Sequence, residues 1–208
     1  MAFKDTQGYV RTEIHKAVTT IEFSHPKGNS LSSSLLEQLA QQIHGARHNA
    51  GTNVIVLRSG PGNAFCGGAA FDELYALENG MQATDFFNGF GEVINEIREC
   101  PKFVIGRIHG KCVGGGVGIA AAVDYAIALE GADIKLSELS LGFGPFVIAP
   151  ALERKIGLAA FSQLAIDAHH WRSCDWAQRK GLYAELHKDI DALDEAIDRL
   201  SDHLRQTN

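Results

Sequence analysis

Two glycine-rich segments carry the residue types with which a backbone can hold an anionic oxygen. Residues 65–71 read FCGGAAF and residues 113–119 read VGGGVGI. Glycine permits positive φ and lets the backbone approach a ligand closely. Two such loops can direct two N–H donors at one oxygen, which stabilises negative charge developing there. A tight strand-to-helix turn also explains the glycines, so the segments alone leave both interpretations open.

The runs that precede these loops predict buried strands. Residues 54–57 (VIVL) and 103–108 (FVIGRI) are short and apolar, as in parallel strands covered on both faces. Ligands of open α/β sheets bind beyond the carboxyl ends of such strands. Neither loop matches a phosphate-binding GxxxxGK[ST] motif, and the glycine order around Gly114 is a poor dinucleotide fingerprint.

The remaining pattern alternates strands and helices. A hairpin is predicted from Tyr9 to Ser24, and Ser34 with Glu37 has the spacing of a capping box for a helix ending near His48. Further strands are predicted at 125–129 and 134–136, and helices at 86–97, 151–156, 160–168 and 190–204. Strands alternating with helices predict right-handed βαβ units in one main domain.

Composition excludes several function classes. The 208 residues are 45% hydrophobic and 21% charged, which predicts a self-folding globular domain. The net charge of −6, with no basic block, argues against nucleic acid or an anionic membrane as partner. Residues 1–5 lack a signal-peptide pattern, and no run reaches the roughly 18 apolar residues of a membrane span. We expect a cytoplasmic protein.

The cysteines and histidines do not form metal-ligand patterns. Cys66, Cys100, Cys112 and Cys174 are widely spaced, which favours reduced thiols over a disulfide framework or a zinc site. The histidines, including those in residues 169–171 (HHW), show no HExxH arrangement and favour surface or packing roles. We expect no bound metal.

Four segments in sequence resemble one known family. Residues 65–70 resemble F-[SA]-A-G-A-D, residues 108–118 resemble I-x-G-x-a-x-G-G-G-x-x, residues 137–145 are similar to P-E-[IV]-x-[LI]-G-x-x-P, and residues 181–183 match a later G-L-V strand. Their order and flanking strands agree from about Val10 to the end of the chain. The chain is identified as a member of the enoyl-CoA hydratase/isomerase (crotonase) family.

The resemblance implies an α/β fold: a crotonase-like spiral core of (ββα) repeats with helices outside, over residues 1–188. Residues 189–208 would form a C-terminal helix, the start of a shortened C-terminal helical region. Family members usually continue with helices that cover the acyl pocket and contact a neighbouring subunit. A homo-oligomer is implied, usually a trimer, and its interface would lack those helices here.

The resemblance also implies the chemistry. A CoA thioester would place its carbonyl oxygen on the backbone N–H groups of Ala69 and Gly115, with an enolate as intermediate. Glu138 would transfer protons at carbon, and the apolar residues Leu139, Leu141 and Phe143 are expected to raise its pKa. Substrate-binding positions are implied for Lys27, which would meet the CoA phosphates, and for Gly68, Gly114 and Gly118. Coenzyme A would arrive with the substrate, and no separate cofactor is expected.

Departures from the family pattern favour one reaction. Hydratases of the family usually carry a second glutamate at the position of Gly118. One carboxylate can move a proton between two carbons of a substrate, whereas hydration also requires a group that activates water. The single carboxylate therefore favours isomerisation of 3-enoyl-CoA to 2-enoyl-CoA. Ala70 replaces a common Asp, Ser137 replaces a common Pro, and Asp124 is interpreted as structural.

Two alternatives stay open. One is an enoyl-CoA hydratase of fatty-acid or branched-chain acyl-CoA degradation, whose water-activating partner the sequence does not place. Asp72, Glu73 and Glu153 are acids without an assigned role. The other alternative is a non-catalytic acyl-CoA-binding relative, because fold alone does not determine function.

Overall fold

Two sheets and seven helices make up the part of the chain that the computed structural model describes, residues 8–206. The expectations that rest on residues 1–7 and 207–208 lie outside the described residues. The strands are β1 (Tyr9–His15), β2 (Val18–Ser24), β3 (Val54–Ser59), β4 (Ala64–Cys66), β5 (Phe103–Ile108), β6 (Lys111–Val113), β7 (Tyr125–Leu129), β8 (Ile134–Lys135) and β9 (Glu185–His187). The helices are α1 (Ser33–His48), α2 (Phe71–Tyr75), α3 (Gly80–Arg98), α4 (Gly115–Ala122), α5 (Ala149–Ile166), α6 (Cys174–Arg179) and α7 (Ile190–Leu204).

A repeated pair of strands generates the topology. Three times, a strand of the larger sheet is followed by a strand of the smaller one: β3 then β4, β5 then β6, and β7 then β8. The larger sheet has the order β1-β2-β3-β5-β7-β9 and is parallel except for the β1-β2 hairpin, and the smaller sheet, β4-β6-β8, is parallel. The pairs lead into α2, α4 and a 3₁₀ turn at Glu138–Leu141. The predicted α/β fold with (ββα) repeats is confirmed.

Alternate residues of the larger sheet enter two separate cores, as the period of two in a strand requires. Ile55 and Leu57 of β3 join the main core with α1, α3 and α4. Val54 and Val56 point the other way and pack with Leu193 and other residues of α7. The helix predicted over 190–204 therefore covers the outer face of the sheet, while the division at residue 188 stays a prediction.

Helix α1 begins earlier than predicted. Its N-cap is Ser32, whose Oγ accepts from Leu35 N at 3.3 Å, so the capping box assigned to Ser34 and Glu37 is wrong. The cause is a tertiary contact, because a parallel bridge to Ala69 holds Leu31 in an extended conformation and the helix starts directly after it.

Three smaller differences affect element boundaries. The strand predicted over 134–136 ends at Lys135, and the segment at 181–183 precedes β9 rather than forming it. The two helices predicted over 151–168 are the halves of α5, which is interrupted at Gly157 with φ +77°.

Asp124 accepts from Val104 N at 2.8 Å, which is consistent with a structural role at the start of β5. No helix within residues 8–206 is long and apolar enough to cross a membrane.

Asn29 fastens the first glycine loop to the body of the sheet. It is buried at φ +54°, and its Nδ2 donates to the carbonyls of Gly60 and Ala64 at 2.9 Å each. Its Oδ1 accepts from His25 N at 3.0 Å and from Ser24 Oγ at 3.2 Å. One side chain thus connects the segment before α1 to both ends of the β3–β4 connection.

We predict that Asn29→Ala will destabilise the fold by at least about 3 kcal/mol, because buried partners lose their hydrogen bonds and alanine is strained at positive φ. Urea denaturation measures the change. The matched control is Asn63→Ala, an exposed asparagine in the same connection, for which a change within about 0.5 kcal/mol is expected. Equal effects of the two substitutions would contradict this role for Asn29.

Candidate active site

A cavity of about 290 Å³ lies where the two glycine loops and the 3₁₀ turn meet. Backbone lines part of it, at residues 67–69 and 113–115, and apolar side chains line most of the rest. Five of those side chains are aromatic: Phe71, Phe87, Phe90, Phe143 and Phe146. A concave, mostly apolar cavity with a few polar groups is the usual form of a small-molecule site.

The backbone N–H of Ala69 points away from its neighbouring chain segment. Leu31 N donates to Gly68 O at 2.8 Å, and Leu31 O accepts from Ala70 N at 2.9 Å. In a parallel bridge the two residues on either side of Ala69 bond to Leu31, so the N–H of Ala69 itself points away from Leu31. Ala69 also lines the cavity, which is consistent with the expected donation of its N–H to a ligand there.

Gly115 supplies the corresponding donor from the second loop. It is the first residue of α4, so its N–H has no acceptor within the helix. Gly114 precedes it with φ +52°, and the Gly114 carbonyl accepts from Val117 N at 2.9 Å. A β-carbon at Gly68, where φ is +85°, would lie 3.9 Å from Gly115 N. The two loops therefore touch, and both expected donors lie on one cavity.

The Glu138 carboxyl lies against the backbone of the second loop. Its side chain is buried, and its Oε1 would be 3.0 Å from a β-carbon at Gly114. Burial raises the pKa of Glu138 from 4.5 to about 7, although hydrogen bonds from its own N–H and that of Ser137 act in the opposite direction. Among the described residues, Glu138 Oε2 has no hydrogen-bond partner. Such a carboxyl can both accept and donate a proton near neutral pH.

The apolar surroundings of Glu138 differ in part from the expectation. Leu141 and Phe143 line the same cavity as the carboxyl. Leu139 is 48% exposed and lies outside the lining, so it does not contribute to the burial as expected. Phe143 instead packs on Phe87 of α3, with ring centroids 5.1 Å apart.

Within the described residues, Glu138 carries the only ionisable side chain of the cavity lining. Gly118, expected to contact substrate, lies outside the lining and faces Ile148, which forms part of the wall. Glu73 is buried, but its carboxylate accepts from the first N–H of α1 at 2.8 Å. Glu153 is exposed on α5. Neither acid is placed to assist Glu138.

Lys27 is not free to act as a lone cation. Its Nζ forms an ion pair with Asp72, and the two side chains are 60% and 62% exposed. Lys27 does not line the cavity, so its contact with a CoA phosphate stays a prediction. Such a contact would compete with Asp72 for the ammonium group.

The cysteines, the histidines and Lys111, which could also do chemistry, do not line the cavity. Burial raises the pKa of the Cys66 thiol to about 12 and also raises that of Cys112, and all four cysteines are free. His170 pairs with Asp167 at 2.6 Å, and Lys111 Nζ lies 4.9 Å from the ring centroid of Trp171. Residues 8–206 contain no group of three His, Cys, Asp or Glu side chains suited to hold a metal ion.

Sequence reasoning missed the cavity wall. Phe87 and Phe90 were assigned only to the periodicity of a helix, and Phe146 and Ile148 had no assigned role. No motif relates α3 to the segment after the 3₁₀ turn, and tertiary packing such as that of Phe87 on Phe143 brings them together. The signal available in the sequence was the run of two phenylalanines among glycines and a proline at residues 142–146 (GFGPF), and the structure leaves Phe146 80% exposed.

The fold and cavity define an α/β protein in which two glycine loops and one buried carboxyl line a cavity of the size of a small-molecule site. The sequence matches the family model described as enoyl-CoA hydratase/isomerase over residues 13–208. The chain belongs to the enoyl-CoA hydratase/isomerase family.

Individual relatives agree with this assignment. An enoyl-CoA hydratase of Alternaria alternata is 31% identical over 183 residues, which cover 86% of this chain and 58% of the relative. The mitochondrial methylglutaconyl-CoA hydratase of Rattus norvegicus is 30% identical over 67% of this chain and 44% of its own length. The crystal structure of enoyl-CoA hydratase from Bacillus anthracis is 26% identical, with a TM-score of 0.87 over 94% of this chain and 76% of that one. The chain thus spans less than two thirds of the length of these two curated relatives.

We predict that Glu138→Gln will change how stability depends on pH. Because the folded-state pKa is raised, the folded protein binds more protons than the unfolded one between pH 4.5 and about 7, and wild-type stability falls as pH rises through that window. The interval from 4.5 to about 7 corresponds to roughly 3 kcal/mol. Glutamine does not ionise, so its variant should lose this part of the pH dependence.

Chemical denaturation at pH 5 and pH 8 provides the measurement, and exposed Glu153→Gln is the control. The Glu138→Gln variant should gain stability relative to wild type between the two pH values. Parallel curves for wild type and both variants would show that the folded state does not perturb the carboxyl.

Proposed function

We propose that this chain binds an acyl-CoA thioester and moves the double bond of a 3-enoyl-CoA to the 2-position. The observation that carries the proposal is that Glu138 is the single ionisable side chain of the cavity among residues 8–206, in a lining that it shares with the two glycine loops. One carboxyl suffices for this reaction, because the proton that it removes from one carbon is returned to another.

The steps balance without a co-reactant. Ionised Glu138 removes a proton from C2, the C2–H electron pair forms the C1=C2 double bond of a dienolate, and the carbonyl π pair moves to the thioester oxygen, which becomes negative. The N–H groups of Ala69 and Gly115 stabilise that oxygen, and such a donor typically contributes about 3 kcal/mol in the transition state. Glu138 then returns the proton to C4, which leaves the 2-enoyl thioester and the ionised carboxylate.

Hydration of a 2-enoyl-CoA is the second candidate, favoured by the names of the relatives from Alternaria alternata and Rattus norvegicus, which are both hydratases. It would require Glu138 alone to activate water and to supply the proton to carbon. Glu73 and Glu153 do not line the cavity and offer no second group. The apolar lining also gives a reacting water few partners.

The decisive experiment incubates the protein with 3-enoyl-CoA and with 2-enoyl-CoA in heavy water and follows both by mass spectrometry. The proposal expects double-bond migration that is faster than any gain in mass from water. Efficient hydration without migration would replace it by the second candidate. Binding without either reaction would identify a non-catalytic acyl-CoA-binding protein.

We predict that the thioester carbonyl contributes to binding. An analogue in which a methylene replaces that carbonyl should bind at least about tenfold more weakly, because two N–H groups lose their acceptor. Titration calorimetry with the acyl-CoA and its analogue measures the difference, and free CoA is the control for the nucleotide part. Equal affinities would contradict donation by Ala69 and Gly115.

We predict that Glu138→Gln will lower kcat for isomerisation by roughly 10²–10⁴-fold, since the amide keeps the shape but accepts no proton. Binding of acyl-CoA should change little, and Glu153→Gln should retain wild-type turnover. Wild-type kcat/KM should rise with pH and level off above about 7, because the ionised carboxyl is the reactive form. A rate that falls over the same range would assign the essential proton to another group.

A further inference from the structure

Ile148 forms part of the cavity wall and packs directly on Gly118 behind it. A β-carbon at Gly118 would lie 2.5 Å from Ile148 Cγ2 and 2.7 Å from Ile148 Cβ. Real β-carbons do not approach so closely, and the Ile148 Cβ is fixed to its backbone. A side chain at 118 and the side chain of Ile148 therefore exclude each other in this arrangement.

The two residues differ in their relation to the cavity. Ile148 is 4% exposed and belongs to the lining, whereas Gly118 lies behind it and outside the lining. Ile94 of α3 also contacts this point, at 3.3 Å from the same β-carbon position, and is 3% exposed without reaching the cavity. The wall at this place is a branched apolar side chain with restricted χ1 rotation.

An apolar wall at this position has a chemical consequence for Glu138. A buried water needs two to four polar partners, and apolar cavities stay dry. Apart from Glu138 the lining offers few polar side chains: Thr84, Asn88 and Ser137. Ile148 lines the same cavity as Glu138 with an apolar side chain, so it occupies space there and offers a water no hydrogen-bond partner.

We propose that Ile148, seated over Gly118, is the specificity-determining residue that keeps water away from the reacting carbons and so restricts Glu138 to proton transfer within the substrate. This inference rests on the proposed isomerisation and names the residue that separates it from hydration. Ile148 acts by occupying space, and no proton or electron passes through it.

The test replaces Ile148 by serine, which shortens the side chain and adds a hydroxyl partner for water. The ratio of hydration to isomerisation should rise by about tenfold or more, and more solvent deuterium should enter the product in heavy water. Ile148→Thr is the second variant, because it keeps the branch at Cβ and perturbs the fold less. Ile94→Ser is the matched control: it is equally buried beside Gly118 but outside the lining, so its ratio should stay at the wild-type value.

A stability measurement tests the packing independently of turnover. Gly118→Ala should lower Tm in the wild type, since its methyl group meets Ile148, and should cost less in an Ile148→Ala background. Additive losses would overturn the mutual exclusion on which the inference rests. In the Ile148→Ser protein, Gly118→Ala should refill part of the space and lower the hydration ratio again.

The outcomes distinguish this inference from the proposed function. If the wild type isomerises and folded Ile148→Ser and Ile148→Thr keep its product ratio and deuterium uptake, the role of Ile148 is wrong and the proposed function stands. A wild type that turns over neither enoyl-CoA would overturn both. A rise in the ratio with Ile94→Ser as large as with Ile148→Ser would show that general loosening is responsible, and would also overturn the role of Ile148.

Discussion

The contact between the two glycine loops is the constraint on which the rest of the site depends. A β-carbon at Gly68 would lie 2.9 Å from the Val113 carbonyl oxygen, so only glycine allows the first loop to approach the second this closely. The positive φ at Gly68 and at Gly114 adds a second reason for glycine. With this contact in place, two backbone donors from segments 46 residues apart, at Ala69 and Gly115, lie on one cavity. Side-chain chemistry is not needed for their placement.

The same packing determines the state of Glu138. The missing β-carbon at Gly114 lets the carboxyl lie directly on the second loop, where burial raises its pKa to about 7. Because the pKa of Glu138 is raised, the folded protein loses stability when this carboxyl ionises. Its Oε2 has no hydrogen-bond partner among the described residues. Such a cost is typical of sites that need a reactive group more than a stable one. The absence of a side chain at Gly114 and the raised pKa of Glu138 are therefore linked by one direct contact.

The sequence predicted those parts of the molecule whose signals are local. The strands at 103–108 and 125–129 and the helix at 190–204 agree with β5, β7 and α7, because apolar periodicity and burial agree within each segment. The start of α1 was missed, since the bridge between Leu31 and Ala69 is a long-range interaction that outweighs a local capping pattern. The wall residues Phe146 and Ile148 were missed for the same reason. The resemblance placed the two donor residues, Ala69 and Gly115, in loops that line the cavity, and their role as donors stays a prediction; the side chains around them depend on how α3 and the segment after Glu138 pack.

The wall also determines what a single carboxyl can accomplish. In a polar, open site, a carboxylate that has taken a proton exchanges it with water, and a second acid or base is then useful. The lining of this cavity is mostly apolar, so under the proposed isomerisation a proton taken up by Glu138 would have few acceptors other than the substrate itself. Retention of the proton follows from burial in the same way as the raised pKa does. In the proposed function, the reaction therefore depends on which side chains surround the carboxyl, and Gly118 matters less for the acid it lacks than for the Ile148 side chain it accommodates.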